Sequence, residues 1–179
     1  MDWLLSWAVA PLALFVTISI ALLLASVPLA VWRARDQRFA DAVRRTGRDL
    51  ALLVSLSLIA TLTVAPLAED VRELPINLLP FRDQLLALQG QIRMSQALTE
   101  LAANVVMFAP LGIALAWRHP TRSLARVAAV ALVVSLIVEA VQAIAATGRQ
   151  ADVTDVLANV TGAVLGALIV RRVSAAQAA

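Results

Sequence analysis

Five times along this chain an apolar run of about twenty residues recurs, the length that an α-helix needs to cross the hydrocarbon core of a bilayer. The runs cover Ala8 to Val31, Leu50 to Leu67, Leu98 to Trp117, Leu124 to Ala146 and Asp152 to Val170. Backbone amides in lipid must be satisfied within the segment, so such runs are restricted to helices. The expected fold class is therefore all-α: a polytopic membrane helix bundle of about five transmembrane helices, forming a single membrane domain over 1–179. Composition agrees, with 61% hydrophobic and 15% charged residues and a mean hydropathy of +0.84. A soluble domain of this length does not carry that balance.

The charged residues set orientation. All fifteen basic residues are Arg. The segment Arg33 to Asp49, the RHPTRSLAR turn and the C-terminus hold eleven of them, and the N-terminus, the segment Ala68 to Ser95 and the ATGRQ turn hold four. The positive-inside rule then places the N-terminus outside and the C-terminus in the cytoplasm. Arginines distributed this way meet lipid headgroups, and the net charge of +3 gives no reason to invoke nucleic acid. The first run follows MDWLLSW, which lacks a positive side chain, and reads as a retained anchor bracketed by Trp3, Trp7 and Trp32. Pro28 is expected to kink or end it, and Arg33 to Asp49 reads as a polar loop with room for an amphipathic helix. The absence of cysteine excludes disulfides and thiolate metal sites.

Polar side chains inside apolar spans are costly and normally have named partners. They concentrate between Ser135 and Gly166. Glu139 and Gln142 are three apart and share a helix face. Asp155, Asn159, Gly162 and Gly166 recur at four, three and four, forming one stripe that ends in GAVLG, a pattern permitting close approach of another helix. Glu139 is read either as a structural hydrogen-bond or ion-pair partner of Arg149, or as a carboxylate facing a ligand. Arg149, flanked by Asp152 and Asp155, suits bidentate capture of phosphate or carboxylate. Asp152 is equally well explained as a helix N-cap. Asn104 shares a face with Glu100 and Phe108, and Asn104 and Asn159 suit interhelical hydrogen bonds. Pro110 and Gly112 suggest a bend in the third span. The segment ELPINLLPFRDQL, with Asn77, Pro80 and Phe81, is too apolar for an ordinary loop. It is expected to fold over the bundle as a re-entrant or interfacial segment, followed by a short helix over Leu85 to Ile92. At 1.5 Å per residue, Asn104, Glu139 and Asn159 lie at about one depth, roughly 10 Å below the outer helix ends. No resident cofactor is expected, although the carboxylate and amide oxygens are of the kind that hold Mg²⁺ or Ca²⁺.

The order NLLPF, NVVMFAPLG, EAVQ and GRQADVTDVLANVTGAVLG resembles the VanZ-like family, whose name comes from a teicoplanin-resistance protein. The resemblance spans about 74–169, leaving 8–31 and 50–67 as additional N-terminal spans. It implies a multi-spanning bacterial envelope protein and carries Asn104, Glu139, Gln142, Arg149, Asp152, Asp155 and Asn159 as family positions, without supplying a reaction. The resulting expectation is an outward-facing polar pocket, roofed by INLLPF, that binds a membrane lipid headgroup or lipid-linked cell-wall precursor. A membrane enzyme using Glu139 or Asp155 as base or metal ligand is the alternative, and a proton-coupled flippase is a third. The orientation is directly testable, because any introduced cysteine is unique. Gln150→Cys is expected to react with a membrane-impermeant maleimide on intact cells, and Gln177→Cys only after permeabilisation.

Overall fold

The computed structural model describes residues 2–64, 76–120, 123–144 and 150–177, with side chains described from Ala10 onward. The sequence readings for Trp3, Trp7 and Arg149 fall outside those side chains. Helices α1 (Asp2–Arg33), α2 (Phe39–Val64), α4 (Met94–Arg118), α5 (Leu124–Ile144) and α6 (Val153–Ala176) are all long and apolar enough to cross a membrane. The short helix α3 (Arg82–Leu88) and two two-residue strands, β1 (Ile76–Asn77) and β2 (Ala151–Asp152), lie between them. The all-α bundle is as expected, and the strand pair is an addition that periodicity gave no means of anticipating.

The helices are arrayed α1, α2, α4, α6, α5, with α4 against α6 the most extensive interface. Glycines explain why. A Cβ on Gly162 would stand 2.1 Å from the Val105 carbonyl oxygen, and one on Gly166 2.1 Å from that of Ala109. On α4 itself, a Cβ at Gly112 would stand 1.8 Å from the Ala163 oxygen. The two backbones therefore touch, and the matched advance of four residues on each helix makes α4 and α6 parallel. Among lipid tails no hydrophobic force drives helices together, so this contact rests on dispersion between closely approaching backbones. Gly112 admits α6, and α4 continues as one helix through Pro110. Phe108, Leu111 and Leu115 fill the remaining core with Ile59, Val138, Ala163 and Ala167.

Two expectations at the arginine-rich end need correction. Pro28 does not end α1, which runs on to Arg33, as membrane-spanning helices tolerate proline where side chains or neighbours satisfy the freed backbone groups. Nor is Arg33 to Asp49 a loop: α2 begins at Phe39, so most of that segment forms its first three turns. Asp49 makes this possible by tying three helices. Its Oδ2 lies 2.8 Å from the Arg33 guanidinium at the end of α1, and its Oδ1 pairs with Arg118 at the end of α4. Arg33 also donates to the Thr46 hydroxyl at 3.1 Å. Within the α2 span the hydroxyls of Ser55 and Thr63 return to carbonyls four residues back, which is how this span tolerates them.

The α4–α6 contact yields a contrast in stability. Gly162→Ala and Gly166→Ala are each expected to cost about 1–3 kcal/mol or more by forcing backbones apart. Gly47→Ala, whose Cβ would meet only the Trp117 ring at 3.8 Å, is expected to cost little. Unfolding in graded sodium dodecyl sulfate mixtures measures all three.

Candidate functional site

At the opposite end from Asp49, the segment before α3 and the segment before α6 meet. β1 and β2 pair in parallel, with Ile76 opposite Ala151 and Asn77 opposite Asp152. Two residues of ladder are too few to hold by themselves, and side chains complete the junction. Asn77 Nδ2 donates to Asp152 Oδ2 at 2.7 Å, while Asn77 Oδ1 accepts from the Leu79 amide at 3.1 Å, closing a local turn. Asp152 is also the N-cap of α6: its Oδ1 accepts from the Thr154 amide at 2.6 Å. Its own amide donates to Glu139 Oε2 at 2.8 Å. Thr154 then accepts from the Phe81 amide at 2.8 Å. This clasp joins α5, α6 and the segment 76–81.

Phe81 is the strained member, with φ +58° and ψ +28° at the N-cap of α3. A left-handed conformation costs a bulky residue on the order of 1–2 kcal/mol, which the Thr154 hydrogen bond helps to offset. Pro80 precedes it in the turn. The helix that follows is Arg82–Leu88 and not Leu85 to Ile92, because Gly90, at φ +76°, closes it. Gly90 N–H donates to Ala87 O at 3.0 Å and Gln91 N–H to Leu86 O at 2.9 Å, the paired bonds of a glycine C-cap. Gln84 of α3 donates to the Ala97 carbonyl at 3.1 Å, securing α3 to α4.

The residues singled out in the sequence therefore separate into layers. Asn77, Glu139 and Asp152 come together in the clasp, with Glu139 and Asn77 buried. Asp155 lines a cavity of about 20 Å³ with Asp83, Gln84, Glu100 and Thr154, room for about one water. Asn159, only 1% exposed, lies deeper and donates to Ser135 Oγ at 2.9 Å, linking α6 to α5. Gln142 is buried on Glu139's face, and Asn104 is half-buried on α4. Neither has a hydrogen-bond partner among the described residues. The common depth expected for Asn104, Glu139 and Asn159 does not make them one cluster, because Glu139 reaches toward the helix end and Asn159 turns sideways. Arg149 lies outside the described residues. As for a divalent ion, no three acid or imidazole groups among the described residues stand where they could share one, and Asp152 is already engaged by Asn77 and Thr154.

Thr154 and Ser135 were missed. Both had a signal: Thr154 sits two residues after a capping Asp, and Ser135 lies one turn before Glu139 on the same face.

A five-span bundle with its loops clasped at one end defines a multi-pass integral membrane protein. The chain belongs to the VanZ/LLP1 family, whose model matches residues 50–174. That match takes in the whole clasp and most of α2, and it leaves out α1. No curated protein and no solved structure matches the chain.

The clasp makes a testable energetic claim. Asp152→Ala removes the cap and strands Asn77, and is expected to cost about 2–4 kcal/mol from the two losses together. Combined with Asn77→Ala, the double-mutant cycle is expected to give about 0.5–3 kcal/mol of coupling, read by unfolding in mixed micelles.

Proposed function

We propose that the clasp end faces outward from a bacterial cytoplasmic membrane and recognises a lipid headgroup or lipid-linked cell-wall precursor. Through that binding the protein alters access of glycopeptides such as teicoplanin to their target. One observation carries the reading. In the segment 76–81 the polar half is buried and paired while the apolar half is exposed: Asn77 is 7% exposed and its neighbour Leu78 is 78% exposed. Leu79, Phe81, Leu85 and Leu88 are exposed as well. This is the reverse of a loop in water, and it suits a segment lying at the boundary of acyl chains and headgroups. An ordered polar clasp beside it supports recognition of a molecule with both parts.

In this reading the acidic residues have different tasks. Glu139 fixes Asp152 at the start of α6, and Arg149 takes the anionic group. Asp155 orients the polar part of the ligand from the first turn of α6. Asn104, half-buried one turn from Glu100, supplies an amide toward it. Asn159, whose Nδ2 donates to Ser135, holds α5 to α6 beneath.

Native mass spectrometry of the full chain in mild detergent tests this. Wild type is expected to retain a phospholipid or polyprenyl-linked species, and Arg149→Ala to retain at least about tenfold less, equivalent to about 1.4 kcal/mol. A strain expressing the same variant is expected to lose any change in teicoplanin susceptibility conferred by wild type. Equal retention in both proteins, or none, overturns the proposal. Turnover of the retained species, dependent on a divalent ion and abolished in Asp155→Asn, would instead make the protein a membrane enzyme.

A further inference from the structure

The arginine-rich end holds an open space adjoining charged groups. A cavity of about 370 Å³ lies between the first turns of α2 and the C-terminal end of α4, lined by Arg44, Arg45, Arg48, Arg118 and His119 together with Asp41 and Asp49. That volume is on the order of ten waters and falls in the range of small-ligand sites. We propose that it is a second binding site, taking a phosphate group, whether carried on a lipid headgroup or free in solution. It is independent of the clasp, at the other end of the bundle.

Charge accounting is the first argument. Asp49 is already held between Arg33 and Arg118. Among the described residues, Arg44, Arg45 and Arg48 make no ion pair, and Arg48 Nε is buried without a hydrogen-bond partner. A buried donor left unmade is costly, and Asp41 is the one remaining carboxylate in the cavity for three guanidinium groups. Arg44 and Arg48 are also four apart on one helix face, a like-charge spacing that is unfavourable unless an anion is shared between them. Planar guanidinium groups converging on a cavity match the oxygen geometry of phosphate.

Position is the second argument. The cavity lies at the level where the apolar spans end. Trp32 and Trp117, adjoining Arg33 and Arg118, are 60% and 44% exposed, and Phe39 is exposed beside them. Exposed tryptophans at span ends mark the headgroup layer, so a phosphate at this height is within reach of an anionic lipid. The Trp117 ring also lies against Gly47, which seats α2 against α4 beside the cavity.

The experiment uses the full chain in mild detergent, in an Arg149→Ala background so that the clasp end does not contribute. Dioleoyl phosphatidic acid is titrated by native mass spectrometry, with and without millimolar inorganic phosphate, and inorganic phosphate alone by calorimetry. Arg45→Gln combined with Arg48→Gln, which breaks no ion pair, is expected to weaken phosphatidic acid binding about tenfold or more. Asp41→Asn is expected to tighten it severalfold, an outcome that misfolding does not produce. Binding with both variant effects and no competition from inorganic phosphate assigns a lipid headgroup. Competition, or calorimetric binding of phosphate with the same variant effects, assigns free phosphate. Equal binding in all proteins, or binding of neither probe, overturns the proposal and leaves these arginines as determinants of orientation alone.

Discussion

Asp152 is the residue on which the clasp end depends. Its amide reaches Glu139 on α5, one carboxylate oxygen caps α6 through Thr154, and the other holds Asn77 of β1. Three separate chain segments thus converge on a single side chain and its own backbone. The reason lies in the solvent. Chain leaving a helix at the edge of a bilayer cannot rely on water for every amide and carbonyl, so irregular segments there must find partners in protein. A two-residue parallel strand pair flanked by side-chain bonds is a small solution to that requirement. Glu139 looks like an expensive intramembrane carboxylate in isolation. Here it is the acceptor that lets the segment before α6 enter the bundle.

The glycine contact between α4 and α6 sets the frame in which this works. Because Gly112, Gly162 and Gly166 bring the two parallel backbones into touch, the N-terminal ends of both helices stand side by side. α3, bound to α4 through Gln84, and β1, bound to Asp152, are thereby carried to the same place. A wider α4–α6 spacing would pull Thr154 away from the Phe81 amide. Close packing deep in the bundle and polar order at its end are therefore one mechanical unit, with the Ser135–Asn159 bond tying in α5 between them.

Much of this was legible in the sequence because membrane physics is stringent. Span number, the small-residue stripe and the concentration of polar groups after Ser135 follow from length and helical periodicity. Partner choice was not legible. The side chains of Glu139 and Asn159 start at similar depth, and only the rotation of each helix decides that one reaches Asp152 and the other Ser135. The β1–β2 pairing joins residues 75 apart and has no periodic signature in two residues. The helical start of α2 was hidden for a different reason: its first turns are so rich in Arg that composition reads as loop, whereas in the fold Asp49 anchors that stretch to Arg33 of α1 and Arg118 of α4.

The two ends of the bundle treat charge in opposite ways, and that difference bears on what each can do. At the clasp end the carboxylates of Glu139 and Asp152 accept from backbone and side-chain donors, so the described acidic groups there build a rigid framework. At the arginine-rich end a single carboxylate, Asp49, satisfies two cations, and Arg44, Arg45 and Arg48 are left facing open volume. Carboxylates engaged in this way suit a scaffold. Spare like charge around a cavity suits an ion that arrives from outside, because repulsion among the arginines falls only when an anion enters. A protein of this size need not rely on one site: Arg44, Arg45 and Arg48, which make no ion pair among the described residues, stand together at one end of the bundle, away from the clasp.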